Sequence, residues 1–449
     1  MMEKFILERP ILDTEAKKTA LKKFFAMDEA VQKKFFFDLI HPQYLYWDKA
    51  KYRQTPPGLR AEEYWIAARQ MRSLFAQETY LRQENEKPFV FLPPPENERW
   101  HHQIDTTIGG RLFAPYSMLS EQNKQKFLSQ GLIEEAIASS QLEGANTSRK
   151  AAKRMLLEKR EPTNRGERMI INNYKAMRRI EEDFKNKKMD EQLLLQLHRI
   201  VSDKDEAIPA NDRGRFREDS DEIVVVDESQ QLIAHTAPKA AFLKKELSRF
   251  ISYANDEETN SFTHPIIKAI FLHFWVGYLH PFTDGNGRIA RAIFYWYLLR
   301  KGYWGVAYLP ISTVIKKSPK QYGMAYIYTE QDDGDLTYFY EYHVRKILQA
   351  LEEFDKYVRR KIAENQDIDK RVAKRAAQLN DRQKQLLHYL LSEGVHAYTT
   401  PSTHAAIYNV SRVTAYKDLE HLEKLGFLQW KKVGHQRQYR ATKKLEQVR

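Results

Sequence analysis

Apolar side chains recur at helical spacing over most of this chain. Phe24, Phe25, Met27 and Val31, then Tyr64, Ala67, Ala68, Met71 and Phe75, follow a 3.6-residue period, which predicts a helical region over residues 11–87. Pro56-Pro57-Gly58 divides that region, and Pro93-Pro94-Pro95 ends it near residue 95, because proline stretches resist both helix and ladder. From about 115 to 355 the pattern is again mainly helical. Its exception is the β-branched run from Glu222 to Asp227, followed across a polar turn by Leu232-Ile233-Ala234, which predicts a hairpin inside a helical domain. Residues 355–380 carry many charges and few large apolar side chains, as a solvated connecting helix does. Beyond them the period predicts helices over 381–391, Ser402–Tyr408 and Ser411–Leu425. The last places Ala415, Leu419 and Leu422 on one face, and strands follow around Phe427–Trp430 and Arg437–Arg440, joined at Gly434-His435.

Composition narrows the class. A chain of 449 residues is long enough for two or three domains, and 42% hydrophobic with 12% aromatic residues is enough apolar material for a folded protein. The formal charge of +13 and a pI near 9.4 favour acidic partners: nucleotides, nucleic acid or acidic protein surfaces. With no cysteine, disulfide frameworks and cysteine-based zinc sites are excluded. Glu3, Lys4, Glu8 and Arg9 interrupt the first apolar run, and no uninterrupted run is long enough to cross a bilayer, so the expectation is a cytoplasmic protein without a membrane partner. Oligomeric state, a homodimer included, is not legible here.

The densest chemistry lies between His280 and Arg291. Residues 265–279 are apolar on nearly every face, which predicts a central buried helix stopped by Pro281. His280 then stands at a helix C-terminus, where the dipole is expected to raise its basicity and suit it to proton abstraction. Gly285, Asn286 and Gly287 permit a tight turn into a helix from Arg288 to Arg300, whose N-terminal amides favour a polyphosphate. Asp284 is placed to hold Mg2+ bridging phosphates, and Arg288 and Arg291 add guanidinium contacts. His264, His273 and His280 do not have the spacing of common zinc sites.

The string His280-Pro281-Phe282-Thr283-Asp284-Gly285-Asn286-Gly287-Arg288-Ile289-Ala290-Arg291 resembles, at every specified position, the HPFx[D/E]GNGRxxR signature of the Fic family, whose members mostly transfer AMP from ATP onto protein hydroxyls. The resemblance implies that His280 deprotonates the target hydroxyl and Asp284 binds Mg2+. It implies too that Asn286 orients the α-phosphate, Gly285 and Gly287 offer amides, and Arg288 and Arg291 bind the β- and γ-phosphates. Upstream, Ser139-Ser140-Gln141-Leu142-Glu143-Gly144 looks like the family's inhibitory [S/T]xxxE[G/N] motif at the end of an amphipathic helix marked by Leu132, Ile133, Ala136 and Ile137. By that resemblance, Glu143 pairs with Arg291 and takes the γ-phosphate position. The Glu222–Pro238 hairpin lies where Fic proteins carry a flap that aligns a target segment, and its β-branched edge suits an extended peptide. Tyr322 and Tyr326 are candidates for an adenine pocket, although aromatics at helical spacing are more often core.

Three helices and a hairpin at the C-terminus resemble a winged helix-turn-helix domain. The resemblance points Ser411, Arg412, Thr414 and Lys417 at duplex DNA, with Lys431, Lys432, His435 and Arg437 on the wing. Twelve Lys and Arg stand against six Asp and Glu over residues 381–449, a net charge of about +6. Asp418, Glu420 and Glu423 place acid on the same helix, and protein contact or dimerisation is the alternative use. The expected organisation is therefore a helical region over 1–95, a Fic domain over 96–355 with an inhibitory helix at about 130–144, a connecting helix over 356–380 and a winged helix over 381–449. The expected fold is mainly α with a small β-hairpin flap. The expected activity is Mg2+-dependent AMP transfer from ATP to Ser, Thr or Tyr hydroxyls of target proteins and of the chain itself. The rival reading is a nucleotide-responsive DNA-binding regulator whose Fic site senses ATP.

Overall fold

Side-chain caps set the first two helices: the Asp13 carboxylate accepts from the Ala16 amide at 2.7 Å and Asp28 from that of Ala30 at 2.9 Å. They open α1 (Thr14–Phe25) and α2 (Glu29–Ile40), which pack with α3 (Ala61–Phe75) around Phe24, Leu39, Tyr64, Trp65 and Ala68. Phe25 and Phe75, which the periodicity placed with them, are exposed. This computed structural model describes residues 3–109, 121–221, 223–227, 231–258, 262–371, 378–393, 397–433 and 436–446.

After Phe75 the chain departs from the helical expectation. Residues 77–91 form antiparallel strands β1 (Gln77–Arg82) and β2 (Pro88–Phe91), and Leu81, Phe89 and Phe91 are buried in the central core. Tertiary packing overrides a weak helical period here: the alternate residues of the pair face the central helices, and Val90 exchanges backbone bonds with Gly334 and Leu336.

The central body is helical. α4 (Glu121–Leu142), α5 (Arg149–Glu158), α6 (Arg165–Arg179) and α7 (Glu191–Val201) are followed by the hairpin β3 (Val224–Asp227) and β4 (Leu232–Thr236), with a bulge between Val225 and Val226. Next come α8 (Ala240–Ala254), α9 (Pro265–Leu279), α10 (Asn286–Arg300), α11 (Pro319–Gln331) and α12 (Thr337–Arg371). α9 is the buried centre that its composition foretold: Ile266, Ile270, Phe274 and Trp275 are fully buried, as are Ile289, Ile293 and Trp296 of α10 beside it. The charged run after residue 355 continues α12, which is unbroken to Arg371.

At the C-terminus α13 (Asp381–Glu393), α14 (Pro401–Tyr408) and α15 (Arg412–Lys424) enclose a small core of Leu387, Leu419, Leu422 and Phe427 with the antiparallel pair β5 (Leu428–Val433) and β6 (Gln436–Ala441). Thr399 also exchanges backbone bonds with Tyr439, a pairing without a signal in the sequence. Glu222 and the turn residues Gly434 and His435 lie outside the described residues. The molecule is mainly α with small antiparallel strand pairs, and no helix among the described residues is long and apolar enough to cross a membrane.

Candidate active site

The corner between α9 and α10 is assembled by backbone geometry. His280 caps α9 in the left-handed region (φ 47°), its amide donating to Val276 O at 3.0 Å, and Gly285 (φ 85°) starts α10. Arg217 ties the turn from outside: its amide donates to Pro281 O at 2.9 Å and its Nε to His280 O at 2.7 Å. Asn286 ties it from inside. Its Oδ1 accepts from the Phe282 amide at 2.9 Å and its Nδ2 donates to Phe282 O at 2.7 Å. Both side-chain groups of Asn286 are therefore engaged in holding the His-Pro-Phe turn.

The imidazole of His280 has a defined tautomer. Its Nδ1 lies 3.1 Å from Gly277 O, and a carbonyl only accepts, so Nδ1 carries the proton and Nε2 keeps its lone pair. Its basicity differs from the sequence expectation. Burial, then the nearby His235, push the His280 pKa down to about 4. His280 is half-buried, and the cost of charging its imidazole away from water, with His235 nearby, outweighs the small gain from the helix dipole.

Glu143 reaches the corner from α4. Gly144, at φ 86°, ends that helix where the motif suggested, with Ala145 N donating to Ser140 O at 3.0 Å. The carboxylate then meets Arg291: Nη2 donates to Glu143 Oε1 at 2.8 Å, while Nε donates to Ser139 Oγ at 2.7 Å and Nη2 to Ser139 O at 2.9 Å. Burial opposes the charge on Glu143, but the Arg291 guanidinium outweighs it and holds the carboxyl below its ordinary value. The same carboxylate stands over Gly287, where a Cβ would collide with it. An acid thus occupies the first turn of α10, where amides point out of the helix.

Arg288 is fully buried. Its Nη1 donates to Val201 O at 2.9 Å, Nη2 faces Asp284 at 3.7 Å and Asp205 at 4.0 Å, and Nε has no hydrogen-bond partner among the described residues. Asp284 is more open and receives Arg165 Nη2 at 3.0 Å. No group of three or more His, Asp or Glu side chains among the described residues is arranged to hold a metal ion, so a divalent cation here would have Asp284 as its carboxylate and draw its other oxygens from phosphate and water. That donor set fits Mg2+, which commonly binds through one or two carboxylates and substrate phosphates.

Several contributors escaped the sequence reading. His198 accepts from the Gly214 amide on Nδ1 at 2.9 Å, so its Nε2–H donates to Asp284 O at 3.0 Å, and its ring stacks on Phe282 at 3.9 Å. His235 on β4 lies between Glu330 (2.7 Å) and Tyr278 O (3.0 Å), its ring centre 6.1 Å from that of His280. Arg165 and Arg217 complete the set. None has a fixed spacing from the corner, since each arrives from a different helix or loop. Tyr322 lies against His273, 3.0 Å from its Nε2, and Tyr326 packs over Gly277, both between α9 and α12. His264 instead approaches Asp105 and stacks on His101.

On α15, Ser411 is used as the N-cap, accepting from Thr414 N at 3.1 Å, while Arg412 and Lys417 are exposed, as are Lys431, Lys432 and Arg437 on the hairpin. Asp418 points inward, receiving Arg382 at 2.6 Å and 3.0 Å and lying 3.2 Å from His404, so it does not add acid to the outer face.

A family profile described as Fic/DOC family matches residues 188–298. The chain is similar to the protein adenylyltransferase Fic of Drosophila grimshawi, 38% identical over 69 residues that make up 15% of this chain and 14% of that protein. It is likewise similar to the protein adenylyltransferase Fic of Nematostella vectensis, 32% identical over 110 residues, 24% of this chain and 23% of that one. The chain thus spans less than a quarter of these curated relatives. Among solved structures, a Fic family protein from Desulfovibrio desulfuricans G20 aligns over 76% of this chain and 96% of its own with 20% identity and a TM-score of 0.48. Fic-1 from C. elegans aligns over 58% and 71% with 18% identity and a TM-score of 0.44.

Proposed function

We propose that this chain, whose residues 188–298 match the Fic/DOC family profile, transfers AMP from ATP to hydroxyl groups of proteins, itself included. The observation that carries the reading is the His280 tautomer: a neutral imidazole with its Nε2 lone pair available, at the turn that leads into the anion-favouring start of α10. In the proposed reaction the target hydroxyl gives its proton to His280 Nε2 as its oxygen bonds to the α-phosphorus. The bond from that phosphorus to the bridging oxygen breaks, and pyrophosphate leaves. The amide of Gly287, that of Gly285 once released from the Asp284 carboxylate, and the guanidinium groups of Arg288 and Arg291 stabilise the charge gathered on the phosphates. Asn286 would act mainly by holding the turn, since its side chain already serves Phe282. Asp284 would hold Mg2+, which supplies charge neutralisation of the phosphates and orients the leaving group.

Glu143 makes the resting state an inhibited one in this reading. Its carboxylate engages Arg291 and stands over Gly287, so a γ-phosphate and Glu143 compete for one cation and one space. The hairpin β3–β4, fixed beside His280 through His235, is the proposed dock for the target segment. Exposed Arg412, Lys417, Lys431, Lys432 and Arg437, with Asp418 turned inward, support a winged-helix use of the C-terminal module on duplex DNA.

Intact-protein mass of the Glu143→Gly chain after incubation with ATP and Mg2+ tests the reading. An adduct of AMP mass is the expected result. Bound, intact ATP without an adduct would overturn transfer in favour of nucleotide sensing by a DNA-binding regulator.

A further inference from the structure

The hairpin proposed as a target dock already has an occupant on one edge. The chain's own N-terminal segment pairs parallel to β4 at a Lys4–Ile233 bridge: Phe5 N donates to Ile233 O at 2.8 Å and Ile233 N donates to Glu3 O at 2.9 Å. Gln331, at the end of α11, extends the ladder with its side-chain amide. Its Oε1 accepts from Leu7 N at 2.9 Å and its Nε2 donates to Phe5 O at 2.7 Å. Residues 3–7 thus lie extended along a track whose hydrogen bonds go to their backbone groups, which is how a sheet edge accepts an extended peptide of varied sequence.

Two properties mark the segment as exchangeable. Its anchoring is concentrated at one end: Leu7 is buried in the core of α1–α3 and Phe5 packs against it, while Glu3, Lys4 and Ile6 are exposed, Ile6 at 74%. It also carries nothing to modify, because residues 3–13 contain no Ser, Thr or Tyr and the first hydroxyl is that of Thr14. Ile233 lies two residues, about 7 Å of strand, before His235, and the His235 ring is 6.1 Å from that of His280. A strand added parallel to β4 at Ile233 therefore runs toward His235, whose ring neighbours that of the proposed base.

We propose that the Ile233–Gln331 track is the binding site for the extended, hydroxyl-bearing segment of a target protein, which docks parallel to β4 by displacing residues 3–7, and that these residues hold the track as a non-modifiable stand-in. This inference rests on the AMP-transfer reading for its purpose but not for its binding test. The other edge, that of β3, has no ladder partner among the described residues and is the competing dock.

The test uses the full chain with Phe5→Pro, which removes the amide that donates to Ile233 O. The probe is a fluorescein-labelled peptide of residues 1–12. It is expected to bind Phe5→Pro at least about 10-fold more tightly than the unaltered chain, whose tethered copy competes at high effective concentration. Equal affinity for the two chains, or no binding to either, overturns the proposal. As a second readout, Gln331→Ala should speed hydrogen exchange at the Ile233 amide, and an unchanged rate counts against the track. For the purpose, AMP incorporation into protein is compared between Glu143→Gly and Glu143→Gly with Phe5→Pro. A several-fold rise is expected, and equal rates place the target on the β3 edge instead. Should Glu143→Gly alone show no transfer, the functional reading fails while the peptide measurement still decides the track.

Discussion

Arg291 Nη2 donates to Glu143 Oε1 at 2.8 Å while the guanidinium is also held by Ser139 through its hydroxyl and its carbonyl. α4 therefore supplies both the acid that neutralises Arg291 and the dipoles that orient it. Glu143→Gly removes the acid and leaves the orientation. It is expected to raise AMP incorporation from labelled ATP by about 10-fold or more, which corresponds to roughly 1.4 kcal/mol of barrier. It is also expected to lower stability in thermal melts by about 1–3 kcal/mol, because Arg291 stays buried with its charge less compensated. Transfer no faster than in the unaltered chain, in a folded protein, argues against autoinhibition.

Gly287 and Glu143 should be coupled energetically whatever the chemistry. The Cβ of Gly287→Ala collides with the Glu143 carboxylate, so the substitution should cost about 1–3 kcal/mol in the unaltered chain. In the Glu143→Gly background the obstacle is gone, and alanine's better helix propensity should make it neutral or stabilising by up to about 1 kcal/mol. Additive effects in urea melts of the four chains would contradict this geometry.

The depressed pKa of His280 sets the acid limit of the reaction. With its value near 4 rather than 6.5, the base is neutral across the ordinary range, and kcat/KM should lack an acid limb near 6.5 and fall only toward pH 4. The sign for stability is the same. Between these values the unfolded chain binds more protons at this residue than the folded one, so its contribution is lost as pH falls from about 6.5 to 4. Glu143, held below its ordinary value, keeps its charge on Arg291 above about 4.5, so inhibition should persist through neutral pH. An acid limb near 6.5 in the pH profile of Glu143→Gly would show that the imidazole of His280 keeps its ordinary basicity in the working site.

Asp284 is shared between Arg165 and the proposed Mg2+. Chelation of divalent ions with EDTA should stop AMP transfer, and Asp284→Asn should weaken Mg2+-dependent ATP binding by about 10-fold in calorimetry, in line with loss of the single carboxylate ligand. Transfer that persists in EDTA would remove the metal from the scheme.

Duplex DNA binding by the C-terminal module should be salt-dependent, with log affinity falling linearly against log salt. Replacing both Arg412 and Lys417 by Ala should reduce the slope by about 2 if each contacts a phosphate. Affinity for duplex DNA that does not change with salt would leave protein contact as the module's use.

Much of the fold was legible locally. The all-apolar stretch of α9 and the helix end at Gly144 are short-range signals, and the structure shows both. The strand pair at residues 77–91 was not legible, because its faces are chosen by the helices it packs on. Nor was the inward turn of Asp418, which depends on Arg382 some 36 positions away.

By itself, the sequence determined the chemistry present in the corner, because His280, Asp284, the two glycines and the two arginines fall on one turn and the start of the helix after it, and that short spacing brings them together. It also placed Glu143 at a helix end. Only the tertiary structure decided how those groups are set: that Glu143 meets Arg291 across 148 positions of chain, that His280 is desolvated rather than made more basic, that Asn286 is tied to Phe282, and that the N-terminal residues run along β4. Burial, charge pairing and ladder formation depend on neighbours in space, and the spacing of residues along a chain carries no record of them.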